Sequence, residues 1–203
     1  MRLFHSFSSP FVRKVTVVLH ETGLTDRVEF VTTAGTPTEP NGTRIARNPL
    51  GKVPTLERPD GPALFDSRVI CRYLDDLAGA GLYPTPPRLW ETLTLEALAD
   101  GMLDAMVLMT YEERLRPEEL RFAPWVDGQW DKVDRALDVI EGRWMAHLAG
   151  PLDIAQIGVG VAIGYLEFRQ PTRDWRAGRP ALAAWEDSFK QRPSMQATQP
   201  TLV

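Results

Sequence analysis

The chain is poor in the residues that build metal and redox sites. It has one cysteine, Cys71, and three histidines, His5, His20 and His147, in 203 residues. A single cysteine excludes an internal disulfide and fits a reducing compartment. The histidines are scattered, with no metal-ligand spacing, so no metal is expected. No apolar run reaches the roughly 18–20 residues of a membrane-spanning helix. The opening MRLFHSF lacks the apolar stretch of a secretory signal. Excess charge of one sign is also missing. A formal net charge of -4 gives no pull toward nucleic acid or an anionic membrane. The densest basic run, RQPTRDWRAGR from Arg169 to Arg179, reads as a solvated loop face. Repeats and low-complexity segments are absent. These absences predict a cytoplasmic chain with no nucleic-acid partner and no membrane partner.

What is present suffices for a core. With 43% hydrophobic residues over this length, the chain has material for two small domains. Arg2 to Phe7 reads as a strand. Pro10 suits a first helical position with Ser9 as N-cap, and Gly23 marks the helix end. Val28 to Thr33 is a second strand. Ala34 to Asn48 is a loop with one helical turn near Thr43 to Arg47. Val53 to Glu57 and Pro62 to Phe65 form a hairpin around Pro59-Asp60-Gly61. Asp66 or Ser67 caps a third element, a helix carrying Val69, Ile70, Tyr73, Leu74 and Leu77. Cys71 lies in that helix as a small packing residue.

Pro84, Pro86 and Pro87 mark a stiff linker, and the rest is helical. Arg88 to Leu115 forms one long helix, interrupted at Pro117. Trp125 to Leu148 forms another, with Trp130, Val133, Leu137, Ile140 and Trp144 on one face. PLDIAQIGVGVAIGYLEF is apolar all round, which predicts a buried helix. Asp153 and Gln156 have capping-box spacing, with Leu152 and Ile157 as a staple. Pro180 to Lys190 is a last helix. The organisation predicted is 1–78 (βαβ–ββα), a linker at 79–87, and an all-helical domain at 88–203.

SSPFVRKV, NPLGKVPTL, FDSRVICRYL and LDIAQIGVGVAIGYLEF, in this order and spacing, resemble the cytosolic glutathione S-transferase family, in its bacterial members with an SPFV-type serine motif. The resemblance spans essentially the whole chain. It implies an α/β thioredoxin-like N-terminal domain that binds glutathione, followed by an all-α domain. Glutathione would be the co-substrate and a small electrophile the second substrate, in a homodimer.

The resemblance also implies the site. The end of the first strand delivers a hydroxyl beside a helix N-terminus. There the helix dipole and a hydrogen bond favour the thiolate of glutathione. The family pattern selects Ser9, before the proline; Ser8 is the alternative. Val53-Pro54 is implied to be cis, with the Val53 backbone pairing with glutathione like an added strand. Lys52 is a candidate for the glycyl carboxylate. Asp66 and Ser67 are candidates for the γ-glutamyl end, at a helix N-terminus suited to a carboxylate. The family usually has Glu or Gln where this chain has the shorter Asp66. Asp104 is the candidate to reach glutathione across a two-fold interface. Phe7, Phe11, Met106, Met109 and Tyr111 are candidates to line an electrophile pocket. No cysteine stands near the serine motif, which excludes a protein mixed disulfide there. Two other functions remain open on this fold: a glutathione-dependent disulfide reductase or peroxidase, and a non-catalytic binding or dimerisation module.

Overall fold

The structure is a computed structural model that describes residues 1–201. The final two residues of the helical domain expected at 88–203 lie outside the described residues. The chain divides into two compact units. One comprises Met1–Tyr83 together with the chain from Pro193 onward, and the other Pro84–Arg192. Each is described by itself.

The first unit holds a four-stranded sheet in the order β2-β1-β3-β4. Its strands are β1 (Arg2–His5), β2 (Glu29–Thr32), β3 (Thr55–Arg58) and β4 (Gly61–Leu64). β1 is parallel to β2 and antiparallel to β3, and β4 runs antiparallel to β3. Phe4 pairs with Thr55, and Leu56 with Leu64. Three junctions therefore lie at one end of the sheet: the exit of β1, the entry of β3 and the exit of β4. Two helices start there. α1 (Pro10–Glu21) follows β1 and α3 (Ser67–Ala78) follows β4. They pack on one another and bury Val15, Val18, Leu19, Ile70, Cys71 and Leu74 with Leu3 and Leu56 of the sheet. Phe4 points to the other face of the sheet, where Arg47 lies over its ring at 4.7 Å. Arg47 follows the single turn α2 (Gly42–Ile45), capped by the Asn41 side chain.

The second unit contains α4 (Arg88–Leu115), α5 (Ala123–Arg143), α6 (Met145–Leu148), α7 (Ile154–Arg169) and α8 (Pro180–Phe189). α7 is buried nearly throughout, as its unbroken apolar sequence predicts, and it packs against α4. A Cβ added at Gly158 would sit 3.2 Å from Ala99 Cβ, tighter than an ordinary van der Waals contact, so glycine eases the close approach of the two helices.

Three details differ from the sequence reading. The helix expected from Trp125 to Leu148 breaks at Trp144 (φ -112°, ψ -1°), giving α5 and α6. Gln156 does not complete a capping box. Its amide donates instead to the carbonyls of His147, Leu148 and Gly150 at 3.1–3.2 Å, closing the loop ahead of α7. Finally, a short helix not anticipated, α9 (Pro193–Ala197), belongs to the first unit. Arg13 Nη2 donates to Met195 O at 3.2 Å, and the Ser194 hydroxyl to the Glu21 carboxylate.

Candidate active site

Ser9 stands where β1 gives way to α1. Its amide donates to Ser6 O at 3.1 Å, which closes the turn out of the strand. Its backbone is extended (φ -83°, ψ 122°), as an N-cap requires, and Pro10 opens the helix. The Ser9 hydroxyl accepts from Val12 N at 3.4 Å, near the outer limit of a hydrogen bond. A hydroxyl that accepts still has its own proton to donate. Ser8 differs: its oxygen lies 3.3 Å from that of Ser6. Both serines are half-buried. The first turn of α1 carries no acidic residue, so nothing there offsets the positive end of the dipole. His5, just upstream, is buried between the rings of Phe7 and Phe30. Burial pushes its pKa down, which keeps the imidazole neutral near pH 7.

The loop into β3 is built by Asn48, which is buried. Its side chain donates to Lys52 O at 3.1 Å and accepts from Leu50 N at 3.0 Å. Thr55 Oγ1 also donates to Lys52 O. The turn passes through Gly51 at φ +62°, a region that glycine enters without steric cost. The Val53-Pro54 bond is cis, as are Phe65-Asp66 and Pro86-Pro87. Among the described residues, neither the amide nor the carbonyl of Val53 is hydrogen-bonded. The Lys52 side chain is exposed.

At the start of α3 the two candidates divide the work. Asp66 is the N-cap. Its carboxylate accepts from Arg68 N at 3.0 Å and from the Arg68 guanidinium at 2.8 and 3.2 Å. Burial raises its pKa, but the Arg68 hydrogen bonds and charge, with the charge of buried Lys14, outweigh that and hold it below the usual carboxylate value. Ser67 is 2% exposed. It occupies the first helical position, where backbone N–H groups have no partner within the helix.

The sheet register thus brings Ser8, Ser9, Val53, Pro54, Asp66 and Ser67 to one end of the first unit, with Lys52 beside them. Asp104 lies on the exposed side of α4 in the other unit. In that unit Met106 and Met109 are fully buried, while Tyr111 is 39% exposed. Sequence reasoning missed Asn48, whose signal was its place before the proline of NPLGKVP. It also missed buried Lys14, which the mixed spacing of α1 did not reveal. Among the described residues no group of three or more His, Cys, Asp or Glu could hold a metal ion, and no helix is long and apolar enough to cross a membrane.

Comparison with known proteins agrees with this fold. Residues 8–77 match the family model for the glutathione S-transferase N-terminal domain, and residues 123–188 that for the C-terminal domain. The chain belongs to the glutathione S-transferase family. It is 34% identical to the uncharacterized GST-like protein YibF of Escherichia coli (strain K12), covering 98% of each chain. It is 48% identical to a glutathione transferase family member from Pseudomonas fluorescens Pf-5 whose crystal structure contains bound glutathione, with a TM-score of 0.96 and 99% of each chain covered. A second structure, with bound S-(propanoic acid)-glutathione, has 48% identity, a TM-score of 0.92 and full coverage of both chains.

Proposed function

We propose that this chain is a glutathione transferase and that Ser9 donates a hydrogen bond to the thiolate of glutathione. The observation that carries the proposal is the convergence at one sheet end of three things. They are a capping hydroxyl with a proton to give, a backbone pair at Val53 with no hydrogen bond among the described residues, and the α3 N-terminus at Ser67. Together they match the parts of glutathione. The Ser9 hydroxyl and the positive end of α1 favour the sulfur anion. Val53 pairs with the cysteinyl backbone as a strand would. The α3 N-terminus and the Ser67 hydroxyl receive the γ-glutamyl carboxylate, and Lys52 the glycyl carboxylate. Asp66 acts chiefly as the cap and as the partner of Arg68. Ser9 is preferred to Ser8 because it is the residue that caps α1, at the positive end of the helix. The binding of glutathione and of a sulfur-substituted glutathione by the Pseudomonas relative supports the same reading.

In the reaction the thiol gives its proton to solvent, and the thiolate attacks an electrophilic carbon, forming a C–S bond as the leaving group departs with its electron pair as an anion. Serine donates a hydrogen bond and forms no covalent bond. The protein would work as a cytoplasmic homodimer in detoxification, with Asp104 reaching the glutathione of the partner subunit.

The test combines calorimetry with turnover. Glutathione should bind, Ser67→Ala should weaken it, and conjugation of 1-chloro-2,4-dinitrobenzene should be slowed by Ser9→Ala. Turnover of a small disulfide without any conjugation would favour the reductase instead. Absence of glutathione binding would leave a non-catalytic module.

A further inference from the structure

A buried arginine in the first unit organises the chain between β2 and β3. β2 is parallel to β1, so Thr33 leaves the sheet at the end where Ser9 stands. The Thr33 amide donates to His5 O at 2.9 Å. Arg44, on α2, is 8% exposed. All three nitrogens of its guanidinium donate to the segment that follows β2. Nε donates to Thr33 Oγ1 at 2.8 Å, Nη2 to Thr33 O at 2.5 Å and Nη1 to Gly35 O at 2.9 Å. The fit is close. A Cβ added at Gly35, where φ is +134°, would lie 3.4 Å from Arg44 Nη1 and 3.1 Å from Asn41 Cβ.

α2 needs such a hold, because one helical turn has little stability of its own. Arg47 ties its far end to β3, donating from Nε to Glu57 Oε1 at 2.6 Å. Arg44 ties it to the exit of β2. Burying a guanidinium is costly unless its donors are met, and its rigid planar fork fixes distance and angle together. What this fork fixes is the start of the turn into β3. Arg44 O accepts from Asn48 N at 2.8 Å, and the Asn48 side chain donates to Lys52 O at 3.1 Å. Hydrogen bonds therefore run from His5 O through Thr33, Arg44 and Asn48 to Lys52. Val53 depends less on this path, since it lies two residues before Thr55, which the sheet holds opposite Phe4.

We propose that Arg44 is a positioning residue for the glycyl end of glutathione. Through α2 and Asn48 it sets Lys52 within reach of the glycyl carboxylate. This rests on the transferase reading above and on its assignment of Lys52. Arg44 acts through Lys52 and does not touch the ligand, so its loss is felt at the glycyl carboxylate and not at the sulfur or the γ-glutamyl end.

Calorimetry on the full chain tests it with two probes: glutathione and its glycyl amide, which lacks only the charge of that carboxylate. The readout is the ratio of their affinities, which a general loss of stability does not move. The wild type should prefer the acid by about tenfold, the scale of one charge-assisted hydrogen bond. Arg44→Gln should bring the ratio to about one, with the affinity for the amide unchanged. Arg44→Lys keeps the charge without the fork and is the milder change should Arg44→Gln not fold; its ratio should fall to about three. A tenfold ratio that the folded variants leave intact, including an equal loss for both probes, would overturn the proposal and leave the transferase reading standing. A wild-type ratio near one would overturn the proposal together with the assignment of Lys52. Failure of the wild type to bind either probe would overturn the transferase reading as well.

Discussion

The N-caps of α1 and α7 are built in opposite ways. Asp153, which caps α7, is 2% exposed and fully engaged. Its Oδ1 accepts from Ala155 N and Gln156 N at 3.1 and 3.3 Å. Its Oδ2 accepts from Thr92 Oγ1 and Arg88 Nη2 at 3.0 and 3.1 Å, and lies 2.8 Å from His147 Nε2. Ser9, which caps α1, is half-buried, and its hydroxyl has one hydrogen bond among the described residues, at 3.4 Å. The comparison separates two uses of one motif. A cap with every lone pair occupied locks a helix into its core. A cap with an unused proton keeps hydrogen-bonding capacity for a ligand.

The sharpest way to break this contrast is Asp153→Ala. It leaves Arg88, His147 and Thr92 without their shared acceptor inside the unit. Stability should fall by about 3 kcal/mol, read as a lower urea midpoint. A loss below about 1 kcal/mol would mean that the network is not structural. Ser9→Ala should behave in the opposite sense. Stability changes by no more than an ordinary cap, about 0.5–2 kcal/mol, while the pKa of the bound thiol rises by roughly one to two units, the worth of a hydrogen bond to a charged group. Ser67→Ala should weaken glutathione by about fivefold, close to 1 kcal/mol. It should leave the rate at saturation little changed, and equal binding constants would refute the γ-glutamyl assignment.

The smallest effect belongs to Asp66. Its folded pKa is depressed, so its contribution to stability is present above the unfolded value, about 3.9. It is lost as pH falls through the folded pKa. Asp66→Asn should therefore flatten the fall in urea midpoint below about pH 4 and leave the neutral region nearly parallel to wild type. An unchanged acid limb would show that the Arg68 and Lys14 interactions do not govern this group.

The same contrast explains what the sequence disclosed. The turn from β1 into α1 was legible because serine, proline and an apolar helix follow one another locally. α7 was legible because its residues are apolar all round. α9 was not, since five residues carry no usable period and their partners, Arg13 and Glu21, lie 182 and 173 positions away. The break at Trp144 was hidden because the apolar spacing runs on through it. Gln156 had the right spacing for a capping box, but the carbonyls of His147 and Leu148 at the end of α6, and of Gly150 after it, claimed its amide. Local hydrogen bonds can be read from order along the chain. Those that close a loop, or tie the chain's end to its first helix, depend on the fold.

The measurement that tests the central claim most directly is a pH titration of the ultraviolet thiolate absorbance of glutathione bound to the protein, beside Ser9→Ala. The account predicts a bound thiol pKa well below that of free glutathione in the wild type, and most of that depression lost in the variant. Binding with an unshifted pKa, or a depression that Ser9→Ala leaves intact, would contradict it.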